Sequence, residues 1–162
     1  MGDRLGQPST TDELVVGRDA GVWAVRSTSP TVYYLDLGPG GRPRTLGHVA
    51  VLRSPGAGSS AGPWDRCWLD LVSVEDAEGQ GRIRVGRRHR WTMDPGGSHP
   101  LIWWIQRAVT SIEPVAPRDH PAGREPDVDE ASRPFGREAG AAHDLTPPRS
   151  EHDSGQGGRD ER

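Results

Sequence analysis

Between residues 20 and 115 the apolar side chains come in short bursts, each cut off by glycine and proline. The bursts are GVWAVRS, TVYYLDL, TLGHVAVLR, RCWLDLVSVE, RIRV, HRWTM and LIWWIQRAVTSIE. The interruptions are TSP at 28–30, GPGGRP at 38–43, SPGAGSSAGP at 54–63, EDAEGQG at 75–81 and DPGGSHP at 94–100. Most bursts are too short for helices, and they are rich in β-branched and aromatic residues, which suit a pleated, half-buried surface. Glycine and proline supply the backbone angles that tight turns need. Strands at such spacing, joined by turns, predict an all-β fold: a small antiparallel, partly open barrel, SH3-like or similar, of five to seven strands.

Alternation supports the reading. In 31–37, Tyr33, Leu35 and Leu37 share one face, and Val32, Tyr34 and Asp36 the other. In 67–74, Cys67, Leu69 and Leu71 point one way while Trp68, Asp70, Val72 and Val74 point the other. Segment 101–113 is ambiguous. Leu101, Trp104, Ile105, Ala108 and Ile112 fit a helical stripe, but the content of Ile, Trp, Val and Thr favours strand.

The ends read differently. Residues 1–19 are polar and predict a flexible N-terminal arm. From residue 116 onward there are six prolines and six glycines, and the large apolar residues are Val128, Phe135 and Leu145. Such a segment buries too little surface to offset roughly 1–2 kcal/mol of backbone entropy per residue. It predicts a disordered, acidic tail over 116–162, with 7 arginines against 11 acids. Up to Glu113 the count is 13 arginines against 12 acids, so no globally basic surface is implied. All 20 basic residues are arginine, and asparagine is absent too. A GC-rich coding sequence accounts for both absences. One cysteine, Cys67, allows neither an internal disulfide nor a thiolate zinc site. No apolar leader opens the sequence and the longest apolar run is Leu101–Ile105, so the expectation is a cytoplasmic protein without a membrane span.

Trp23 and Val25, then Tyr34-Leu35-Asp36-Leu37, then Ser111-Ile112-Glu113 form a spaced pattern. It resembles that of a set of small uncharacterised proteins of high-GC Gram-positive bacteria. The resemblance implies a small all-β domain and brings no catalytic residues with it.

Two features carry functional expectations. Residues 81–91, GRIRVGRRHRW, hold five arginines and no acid. Folded as a hairpin, the stretch would gather Arg82, Arg84, Arg87, Arg88 and Arg90, with Trp91 as a stacking face. That combination suits a phosphate backbone with unstacked bases. The plainer reading is that these arginines keep an exposed strand from pairing with other chains. The second feature is six tryptophans. Trp103 and Trp104 are adjacent, so a strand turns one away from the core; Trp68, Trp103 and Trp104 are the candidate exposed contacts. Enzyme motifs are weak. GSSAG at 58–62 mimics a nucleophile elbow around Ser60 but lies in a Gly/Ser/Pro loop, with no α/β sheet to strain it. GRIRVGRR lacks the Lys-Ser/Thr pair of a phosphate-binding loop. The histidines are scattered, so no metal site or cofactor is expected. The sequence therefore points to a non-enzymatic module that docks an unknown protein partner through a strand edge or an exposed aromatic patch. The alternative is a nucleic-acid module using the Arg82–Arg90 hairpin.

Overall fold

The computed structural model describes residues 9–38, 49–59 and 61–126. Among these are ten strands: β1 (Glu13–Val15), β2 (Val22–Ser27), β3 (Val32–Asp36), β4 (Ala50–Ser54), β5 (Trp68–Asp76), β6 (Gly79–Gln80), β7 (Arg82–Arg84), β8 (His89–Asp94), β9 (Ile102–Gln106) and β10 (Val109–Pro114). A short 3-10 turn at Pro117–Asp119 follows. The fold is all-β and antiparallel. One sheet runs in the order β10-β2-β3-β4-β5-β8-β9, with β6 paired to β5, and β1 and β7 form a separate ribbon. Seven strands make up the main path; the short β1, β6 and β7 take the total beyond the expected five to seven.

The sheet is not closed into a barrel. Its terminal strands β9 and β10 are joined through residues 107 and 108 but pair with β8 and β2 respectively, not with each other. Side chains and the ribbon bridge the gap instead. Buried Gln106 accepts a hydrogen bond from Trp91 Nε1 (3.2 Å) and donates to the Val25 carbonyl (3.3 Å). Thr11 bridges Ile112, and Val85 bridges Val109. Inside, Val25, Leu35, Val51, Ile83, Trp91, Met93 and Ile112 are fully buried. Each such side chain stabilises the fold by about 1.5–3 kcal/mol through removal from water.

Three sequence expectations need correction. First, 101–113 is not one element; it is β9 and β10, two strands that pair with different neighbours, β8 and β2, and its helix-like stripe is spread over both. Second, β5 carries a bulge between Leu71 and Ser73. An extra residue reverses the alternation there. Val72 stays outside while Val74 turns into the core, against the regular-strand expectation. Third, the folded unit exceeds 20–115 at both ends. Within the expected arm, Leu14 of β1 is buried, and the Val15 N–H donates to Asp19 Oδ2 at 2.6 Å.

At the other end, residues 115–124 form a strap over the outside of the sheet. Ala24, Tyr34, Leu52 and Trp68 are cross-strand neighbours on β2, β3, β4 and β5. Leu52 lies on this outer row, apart from the main core, yet is almost wholly buried. The Val115 N–H donates to the Val22 carbonyl at 2.8 Å, and Trp68 Nε1 donates to the Pro121 carbonyl at 3.1 Å. Arg124 finishes the strap: its backbone N–H donates to the Arg66 carbonyl (2.7 Å), its Nε to the Asp65 carbonyl (2.8 Å) and an Nη to the Pro63 carbonyl (2.9 Å). Gly123 has φ +77°, and a Cβ there would lie 2.6 Å from the Trp68 ring. Only glycine takes that backbone and that contact without strain. Composition hides this element because backbone and arginine hydrogen bonds hold it, not apolar bulk. The rest of the expected tail, 127–162, lies outside the described residues.

Candidate docking surface

The arginine hairpin does not form. β7 pairs with β1, placing Arg84 opposite Glu13 and Arg82 opposite Val15, while β8 pairs with β5 and β9. Acids meet four of the five arginines. Arg82 lies 3.7 Å from Glu13; Arg84 lies 3.5 Å from Glu13 and 3.8 Å from Asp76. Glu78 contacts both Arg84 and Arg87, and Arg90 lies 3.7 Å from Glu75. Arg88 is exposed with no ion pair among the described residues. Trp91 offers no stacking face. It is fully buried, its ring stacked on Tyr33 at 5.3 Å between centroids. The surface is thus a neutralised ion-pair network. The sequence did contain three of its counter-charges, in the acidic turn EDAEG just upstream; the fourth, Glu13, comes from β1.

Beneath the network lies a buried polar cluster. Asp76 Oδ1 accepts the N–H groups of Glu78 (2.8 Å) and Gly79 (3.1 Å). The Arg84 backbone N–H donates to His89 Nε2 at 3.2 Å, so Nε2 is an acceptor and the ring proton sits on Nδ1. Asp76 Oδ2, Arg84 Nε and His89 Nδ1 have no hydrogen-bond partner among the described residues. Burial pushes the His89 imidazolium below its ordinary range; the Asp76 charge opposes this and the Arg84 charge adds to it. Burial alone would raise the Asp76 carboxyl, but the Glu78 N–H, the Arg84 and His89 charges and the Gly79 N–H together outweigh it and hold the group below its usual range.

A pH dependence follows. An unfolded histidine titrates near 6.5 and His89 titrates lower, so below about pH 6.5 the unfolded chain binds more protons. The His89 contribution is complete above that pH and is lost as pH falls towards the folded-state value. The slope reaches at most about 1.4 kcal/mol per pH unit for one proton. Asp76 acts in a lower window: its contribution is present above about pH 4 and is lost as pH falls below it. Urea unfolding at pH 7 and pH 5 should show a loss of stability that His89→Gln flattens. An equal loss in the variant would assign the effect elsewhere.

The exposed apolar residues gather at the far end of the sheet. Leu101, just before β9, is 53% exposed, and Trp103 (59%) and Ile105 (48%) continue the alternation along it; Val72, at the β5 bulge, is 54% exposed. Inward neighbours alternate with them: Ile102 and Gln106 are buried, and Trp104 is half-buried with its ring 5.9 Å from Tyr33. Trp103 carries the Arg90 guanidinium 5.6 Å from its ring centroid. Of the three tryptophans expected at the surface, Trp103 alone is a free contact. Trp68 lies under the strap, and Trp104 faces inward with Arg53 5.8 Å from its ring. β9 ends the sheet, and its residues 102–106 include no proline or charge that would discourage a further strand.

No protein-family model, curated protein or solved structure matches the chain at a significant level. Among the described residues no group of three or more His, Cys, Asp or Glu is arranged to hold a metal ion. Also among them, no helix is long and apolar enough to cross a membrane. Cys67 is a buried small hydrophobe. Ser60 and His48 lie outside the described residues.

Proposed function

We propose that this chain is a protein-docking module that receives its partner at the β9 end of the sheet, by strand addition along the free edge with Trp103 as the anchor. The observation that carries the reading is the contrast between the two halves of one sheet face. Over β2–β5 the chain's own strap covers the outer row, leaving Ala24 and Leu52 buried and Tyr34 and Trp68 half-buried; along β9 and just before it three large apolar side chains stand roughly half exposed. A bare, apolar, unguarded edge strand is a liability for a free protein and an asset for one that pairs. Strand addition takes affinity from main-chain hydrogen bonds and selectivity from alternate side chains, which here are Leu101, Trp103 and Ile105. The arginine network makes a poorer anion site, since acids already occupy it.

A photo-crosslinking residue at position 103 in the full chain, expressed in cells, tests this. We expect covalent adducts to protein at 103 and few at position 34, on the opposite half of the face. Equal yields at both positions, or no adduct at 103, would remove the reading. So would an adduct formed only within the same chain.

A further inference from the structure

We infer that the partner received by β9 is a second copy of this chain, added antiparallel about a two-fold axis so that two sheets become one. The inference rests on the docking reading and names its occupant.

Charge supplies the argument. Asp70 and Asp94 are exposed and directly opposite each other in the β5–β8 register. Like charges so placed repel, and no ion pair among the described residues relieves either one; the hydrogen bond Asp94 accepts is from the Gly96 N–H. They flank the Leu101 end of the apolar row. Beyond the Ile105 end stands Arg107, exposed and likewise without an ion pair among the described residues. The patch is therefore acidic at one end and basic at the other, with an apolar middle over which the Arg90 guanidinium, paired with Glu75, lies on Trp103. An isologous interface uses one patch twice, so it must complement itself when turned through a half-circle. This one does. Antiparallel addition lays the apolar rows on each other and brings each Arg107 towards the Asp94 end of the copy; parallel addition would set like against like.

The chain's own remaining residues are the competing occupant, and charge opposes them. The strap ends at Arg124 against Asp65 and Arg66, just before β5 and so at the end that carries Asp70. The next residues include Glu125, Asp127, Asp129 and Glu130. An acidic segment brought beside two unrelieved aspartates would be repelled.

The test is sedimentation equilibrium of the full chain over a wide concentration range at low salt. We expect the average mass to rise towards twice that of one chain. Trp103→Glu, at an exposed position that leaves the core intact, should weaken association by at least about tenfold, as expected for a central aromatic anchor. Arg107→Asp alone and Asp94→Arg alone should each weaken it by about two- to fivefold, the range of exposed ion pairs. The double variant, with both charges exchanged, should associate as the natural chain does. A chain that stays monomeric throughout, association indifferent to Trp103→Glu, or no rescue in the double variant would each overturn the inference. Monomeric behaviour together with intermolecular crosslinks from position 103 to another protein would overturn only the second copy. Monomeric behaviour with no adduct at 103 would take the docking reading down as well.

Discussion

Replacing Arg53 with methionine is expected to lower the unfolding free energy by about 3–5 kcal/mol, the usual cost of leaving one member of a buried ion pair alone. Asp65 is 2% exposed, and both of its carboxylate oxygens receive Arg53 Nη1, at 2.6 and 2.7 Å. The Gly62 N–H also donates to Asp65 Oδ2 at 2.5 Å. This pair is the centre of a wider junction. The Arg66 N–H donates to the Arg53 carbonyl at 2.7 Å, and Arg66 itself sits in the left-handed region at φ 62°. The Asp65 and Arg66 carbonyls then accept Arg124, so loss of Arg53 also loosens the strap. The Arg53→Met/Asp65→Leu double variant should recover much of the loss, because paired apolar residues avoid the desolvation of both charges. Chemical denaturation of the three proteins measures this. A single variant within 1 kcal/mol of the natural chain, about the worth of an exposed pair, would mean that Asp65 is solvated.

Trp91→Ala is expected to cost a similar amount, about 3–5 kcal/mol. The indole fills the middle of the core beside Tyr33, and its N–H donates to Gln106, the residue that ties β9 to β2. Alanine opens a cavity and leaves Gln106 Oε1 short of a donor. Trp91→Phe separates the two effects. It keeps most of the apolar volume and leaves the unsatisfied oxygen, which by itself costs about 1–3 kcal/mol. Thermal unfolding should rank the proteins natural chain, Phe variant, Ala variant. A Phe variant as stable as the natural chain would show that the seam does not depend on the Trp91–Gln106 bond.

The strand content was legible because turn chemistry is local: glycine and proline cut the chain wherever it had to reverse. Pairing was less legible. β7 joins β1 across about seventy intervening residues, and nothing in RIRV names ELV as its neighbour. The inward course of Trp91 could have been read, since in HRWTMD an outward Arg90 forces Trp91 and Met93 to the other face. The attraction of an arginine-aromatic cluster hid that parity. On β9 the same parity separates Trp103 from Trp104, and the adjacency of the two already required it. Two features lay beyond pattern reading: the β5 bulge, which depends on a register slip against β8, and the strap, whose bonds run through carbonyls and a guanidinium that no hydrophobic periodicity reports.

That strap has a topological consequence. The last contacts of the described residues are made not by β10 but by Arg124, riveted to the loop ahead of β5. The strap thus anchors the close of the described residues at a fixed corner of the domain, beside the start of β5, instead of leaving it to swing from the end of β10.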